Sequence, residues 1–126
     1  MKHIFVLLIM ILNSAIGFGQ FAEFSFLGSA THQFGKVNEG VSLKHYYVFV
    51  NSGDTPLIID EAKVTCSCTK VEFPRYPILP QQKDSILVTF DTKQKYYQQD
   101  RIIKLKSNTK KQEKLRFKVY VVPKED

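Results

Sequence analysis

Apolar and polar positions alternate most clearly from Val41 to Phe49, where Val41, Leu43, His45, Tyr47 and Phe49 are set off by Ser42, Lys44 and Tyr46. A period of two turns one side of a strand toward a core. The same period returns in Asp84–Asp91, with Ile86, Val88 and Phe90 on one side. It returns again in Arg101–Lys106 and Lys114–Val122, where basic residues alternate with Ile103, Leu105, Leu115, Phe117 and Val119. Nearer the start, Phe21–Leu27 puts Phe24 and Phe26 on one face, Gly28-Ser29-Ala30 interrupts, and Thr31–Val37 resumes in extended form. Pro56–Asp60 predicts a short strand, and Glu61–Thr65 leads into the cysteines.

Turn chemistry separates these runs. Asn38-Glu39-Gly40 is one turn cluster, and Asn51-Ser52-Gly53-Asp54 is another, with Asn51 and Gly53 available for positive φ. Three prolines in Pro74–Pro80 exclude a helix and a central strand, which predicts an extended surface crossover between two sheets. Lys93–Gln99 reads as a polar connection and Ser107–Lys111 as a basic hairpin-like turn. About seven short strands at 8–12-residue spacing, with no helical period, predict an all-β, antiparallel immunoglobulin-like β-sandwich. The Cys, Trp, Cys core of antibody domains is absent, because the chain has no Trp and its two cysteines stand together.

The first nineteen residues interrupt the strand pattern. Lys2, the apolar run Ile4–Leu12 and the small residues Ala15, Gly17 and Gly19 have the layout of a secretory signal peptide. The run is shorter than the roughly 20 apolar residues that span a bilayer, and no cysteine follows it to carry a lipid. The expectation is an exported protein, periplasmic or extracellular. Residues 20–126 then form one domain, with no transmembrane anchor once the signal is removed.

The net charge of +6 is uneven. Residues 20–90 hold six Lys/Arg against seven Asp/Glu, whereas residues 91–126 hold eleven against five. The basic hairpin around Lys110, Lys111 and Lys114 is therefore a candidate surface for anionic glycans. The alternation of lysines with apolar residues reads first as a solvated strand face, and export argues against nucleic acid.

Cys66 and Cys68 offer the one unusual chemistry. In an extended strand, residues two apart share a face with Cα atoms about 6.6 Å apart, beyond the preferred disulfide range of about 5.5–6 Å. A Cys66–Cys68 bridge therefore needs local bending, and so small a ring constrains little of the unfolded chain. The alternatives are a reduced, half-buried pair, an intermolecular bridge, or a redox or Cu(I)-binding role for two thiolates on one face. A metal site needs more ligands, and His45 is the weak further candidate. His45 reads first as a half-buried strand residue, and His32 as a residue held near the Phe34-Gly35 turn.

No nucleophile elbow, phosphate loop or metalloprotease signature is present, and Cys-x-Cys lacks the Cys-x-x-Cys helix terminus that lowers a thiol pKa. The expectation is a non-enzymatic module without cofactor that binds a protein or a cell-envelope component through a sheet face or a free edge strand. Tyr96 and Tyr97 form a minor candidate patch.

The stretches His32–Gly40, Tyr47–Ile59, Cys66-Ser67-Cys68-Thr69 and Pro77-Ile78-Leu79-Pro80 resemble, in this order, the exported bacterial domain-of-unknown-function family 1573. The resemblance covers about residues 22–122. It implies a small Ig-like sandwich related to hydin and major sperm protein modules, used in assembly and without catalytic machinery. Three positions depart from the family pattern. Ser67 replaces a glycine between the cysteines, Gln81 replaces the glycine after Pro80, and a glycine expected near Tyr97-Gln98 is missing.

Overall fold

The computed structural model describes residues 20–125; residues 1–19, the segment read from the sequence as a signal peptide, lie outside the described residues. The alternating runs become eight strands: β1 (Phe24–Phe26), β2 (Thr31–Asn38), β3 (Ser42–Asn51), β4 (Ile59–Lys63), β5 (Thr69–Glu72), β6 (Lys83–Asp91), β7 (Tyr97–Ser107) and β8 (Glu113–Val122). They form two four-stranded sheets, ordered β1-β3-β6-β5 and β2-β8-β7-β4, with no helix among the described residues. All pairs are antiparallel except β2 with β8.

The count exceeds the sequence reading by one because β5, Thr69–Glu72, has no run of its own there, and the first two runs join different sheets. At Gly28 the backbone takes φ 92°, which glycine adopts without the Cβ clash. The Leu27 N–H donates to Val48 O in the first sheet, while Ala30 O accepts from the Arg116 N–H in the second. β2 carries a bulge between Gln33 and Lys36, where Gly35 has φ 76°.

The inward residues meet between the sheets as the alternation predicts. Phe24, Tyr47, Phe49, Ile86, Val88 and Phe90 face Ile59, Ile103, Leu105, Leu115, Phe117, Val119 and Val121, all buried. Phe90 and Phe117 pack across the layer with ring centroids 5.0 Å apart, and the Tyr47 hydroxyl donates to Arg116 O of the opposite sheet at 2.7 Å. Burial raises the Tyr47 pKa, so the phenol stays protonated and keeps that donor.

Three readings from the sequence are corrected. Asn51 and Gly53 do not use positive φ. Asn51 is instead a fully buried hub: its Nδ2 donates to Thr55 O and Ile78 O, and its Oδ1 accepts from the Glu23 and Gly53 N–H groups. A Cβ on Gly53 would lie 2.2 Å from Phe21 O, so close approach, not backbone conformation, requires the glycine. The proline-rich stretch does not connect the two sheets, since β5 and β6 are neighbours in one sheet. Nor does it stay on the surface throughout: Ile78 is fully buried and exchanges two 2.8 Å backbone hydrogen bonds with Leu57. Finally, β7 begins at Tyr97, within the stretch read as a connection.

Candidate functional site

Val64–Cys68 is the connection that passes between the sheets, from edge strand β4 to edge strand β5. Its backbone bends: Thr69 N–H donates to Cys66 O at 3.1 Å, the bond of a tight turn. The bend brings the Cys66 and Cys68 Cα atoms to 5.1 Å, within disulfide reach, and the sulfurs are joined. Cys68 N–H also donates to Cys66 Sγ at 3.2 Å. Ser67 is not among the positive-φ residues, so this turn accepts a side chain where the family pattern has glycine. Cys68 packs against the core, while Ser67 is exposed beside a cleft of about 270 Å³ that Gly40, Lys70 and Asp91 help to line.

The turn sets up the edge that follows it. Asp91 N–H donates to Cys68 O at 2.9 Å, which makes Cys68 and Asp91 a hydrogen-bonded pair of the antiparallel ladder. Such pairs alternate. In the register Thr69↔Phe90, Lys70↔Thr89, Val71↔Val88, the polar groups of Lys70 then face β6, and those of Thr69 and Val71 point outward. The outward N–H of Thr69 is taken by Cys66 O. Val71 is left as the open rung. Beside it, a groove of about 200 Å³ runs between β5 and β4, lined by Ala62, Val64, Val71, Phe73 and Arg75 with Asp60 and Glu61 at its rim. The Arg75 guanidinium lies over the Phe73 ring at 4.2 Å.

The remaining candidates lie elsewhere. His45 is on β3, with β6 between it and the cysteine-bearing edge, and it stacks on His32 of the other sheet, ring centroids 3.6 Å apart. Phe34 and Tyr47 meet the two rings edge-on, His32 and His45 respectively, at 4.6 Å. Burial, and then the charge of His32, lower the His45 pKa. Among the described residues no group of three His, Cys, Asp or Glu side chains could hold a metal ion, so the structure does not bring His45 to the thiol pair.

Lys110 and Lys111 are in the β7–β8 loop and Lys114 is on β8, all exposed. Two neighbours of theirs, Lys63 and Lys104, were not legible as part of that surface, because only strand register places them there. Tyr97 and Tyr120 lie together on the outer face of the second sheet at 6.1 Å.

Two of the positions that depart from the family pattern keep the glycine conformation without the glycine. Gln81 has φ 67° and Tyr97 has φ 63°, a region that costs a side-chain-bearing residue about 1–2 kcal/mol.

Two four-stranded layers, with the first strand shared between them, define an Ig-like β-sandwich. The particular family follows from the sequence: the model of the proteins of unknown function DUF1573 matches residues 26–121, and the chain belongs to that family. No curated protein matches the sequence. Among solved structures, a protein of unknown function from Porphyromonas gingivalis W83 is similar at TM-score 0.71 and 15% identity, over 85% of this chain and 50% of that one. This chain thus spans half the length of that relative. The PapD-like domain 7 of human CEP192 is similar at TM-score 0.59 and 10% identity, over 89% and 92% of the two chains. The YadV chaperone is similar at TM-score 0.51 and 10% identity, over 82% and 52%. At these identities the likeness establishes the fold. Among the described residues no helix is long and apolar enough to cross a membrane.

Proposed function

We propose that this chain is an exported, non-enzymatic binding or assembly module of the bacterial cell envelope, and that its docking element is the β5 edge with the groove of mixed apolar and charged lining beside it. The partner is a protein that contributes an extended segment. The observation that carries the reading is the open rung at Val71. Its N–H and C=O face away from β6 beside a groove lined by Ala62, Val64 and Phe73 together with Asp60, Glu61 and Arg75, where an added strand gains main-chain hydrogen bonds and side-chain contacts together. The Cys66–Cys68 turn terminates the edge by taking the Thr69 N–H, and so fixes where an incoming strand must begin. The fold shared with a chaperone and a PapD-like domain is consistent with an assembly role.

The test exploits the missing N–H of proline, which an edge strand tolerates. Val71→Pro and Val71→Ala both remove the branched side chain, but only Val71→Pro removes the outward donor. Recovery of one envelope protein with wild type and Val71→Ala, and its loss with Val71→Pro, is the expected outcome. Equal recovery with all three chains would exclude the edge.

A further inference from the structure

The outer face of the second sheet breaks a rule of sheet design. Lys63 of β4 lies directly opposite Lys104 of β7, and Lys104 lies directly opposite Lys114 of β8. All three are exposed, flanked by inward residues such as Leu105 and Leu115, so they form one row across three adjacent strands on one face. Like charges directly opposed in a sheet are destabilising. None of the three has an acid within ion-pair distance, since the ion pairs among the described residues are Lys111–Glu113 and Arg116–Asp100. Such local conflicts are expected at functional sites.

The row is also held in place. The loop beyond it is clamped to the segment that leads into β4: Asn108 Oδ1 accepts from Ile58 N–H at 2.9 Å, Asn108 Nδ2 donates to Pro56 O at 2.9 Å, and Asn108 N–H donates to Ile58 O. Within the loop, Thr109 Oγ1 donates to Lys111 O at 2.8 Å. Between the loop and the row is a concavity of about 210 Å³ lined by Lys63, Lys104, Lys106, Lys110 and Lys111 together with Leu105 and uncharged polar residues.

We propose that this face binds an acidic polysaccharide chain, whose regularly spaced anionic groups lie across the Lys63–Lys104–Lys114 row and relieve its repulsion. Single-stranded nucleic acid asks for aromatic platforms beside the cations; the concavity itself is lined by Leu105, Ser107, Thr109 and Gln112 beside its lysines, and the Phe21 ring near it is covered by Lys110 Nζ at 4.7 Å. The proposal is independent of the β5 edge.

Lys104→Glu separates the two roles of this row, because it turns three opposed lysines into an alternating row. If the lysines served the fold, the exchange would cost stability. Instead the melting midpoint rises by about 2–4 °C, while affinity for alginate, followed by calorimetry at low salt, falls roughly fivefold. The triple change of Lys63, Lys104 and Lys114 to Glu lowers it about a hundredfold, at roughly fivefold per lysine. The charge-matched change of Lys44, Lys83 and Lys93 to Glu, away from this face, changes it by less than about fivefold. Val71→Pro leaves it unchanged. Equal losses in the two triple variants, or tighter binding of an oligothymidylate than of alginate by the wild type, would overturn the proposal.

Discussion

On the flank of the sandwich formed by β2 and the first half of β3, the chain closes the gap with its own substance. The first strand passes from one sheet to the other at Gly28, β2 bulges at Gly35, and His32 stacks on His45 across the layers. On the opposite flank β4 and β5 run as short edges of five and four residues, with a groove between them, the Cys66–Cys68 connection crossing at one end and the Leu57–Ile78 backbone pair at the other. A long edge strand invites unwanted pairing, and a bulge is one of the devices that blunts it. β2, at eight residues, carries the bulge, whereas β5 is unbulged in its pairing with β6. The difference teaches that the long β2 edge is blunted by a bulge, β4 shifts register between Ile59 and Glu61, and β5 alone is a regular though short edge, the feature on which the proposed docking role rests.

The largest expected effect breaks the comparison by loosening both flanks. Asn51→Ala leaves the Thr55 and Ile78 carbonyls and the Glu23 and Gly53 N–H groups without their partner. Urea unfolding should show a loss of about 3 kcal/mol or more, because each stranded buried group costs about 1–3 kcal/mol.

A titration addresses the closed flank alone. The His45 pKa in the folded protein is lowered from the ordinary 6.5, so the folded state disfavours its protonation. The sign follows by linkage: the stabilising contribution is whole above pH 6.5 and is lost as the pH falls from 6.5 toward the lowered folded value. The thermal midpoint should drop over that window in wild type and stay flat in His45→Gln, whose amide carries no proton to gain.

The open flank answers to the cysteines. Replacing Cys66 and Cys68 by Ser should cost only about 1–2 kcal/mol, since a ring this small restricts the unfolded chain little. The same change should leave hydrogen-exchange protection of the Lys70 amide, which faces β6, largely intact while it weakens partner recovery, because the turn sets where the edge begins rather than holding the fold together. The smallest effect concerns neither flank. Gln81→Gly relieves a left-handed side chain, and after the larger entropy of an unfolded glycine it should stabilise by roughly 0.5 kcal/mol in the same urea assay.

The sandwich itself was legible in the sequence because inward residues such as Ile86, Val88 and Phe90 alternate without a break. β5 was not, since four residues with Val71 as their main inward apolar side chain carry too little pattern to separate them from the turn before and the prolines after. Asn51 looked like a turn residue, because a buried amide that ties three segments together has no local signature. The candidate site was half visible. The cysteine pair stands out in the sequence, but its meaning depends on which sheet each neighbour joins. His32 with His45, and Lys63 with Lys104 and Lys114, become neighbours only through pairing and sheet packing, which no local pattern encodes. The family's missing glycines were the most informative departures: they marked Gln81 and Tyr97, where the backbone is left-handed despite the side chain.

The most direct test of the docking edge is a flank-by-flank photo-crosslinking comparison in the native compartment. A photoreactive amino acid is placed in turn at Lys70 and Glu72 on the β5 edge and at Gln33 and Lys36 on the β2 edge, all exposed positions. The account predicts one discrete protein adduct from Lys70 and Glu72, abolished when Val71→Pro is added, and none from Gln33 or Lys36. Adducts of equal yield from both flanks, or an adduct from β5 that survives Val71→Pro, would contradict it.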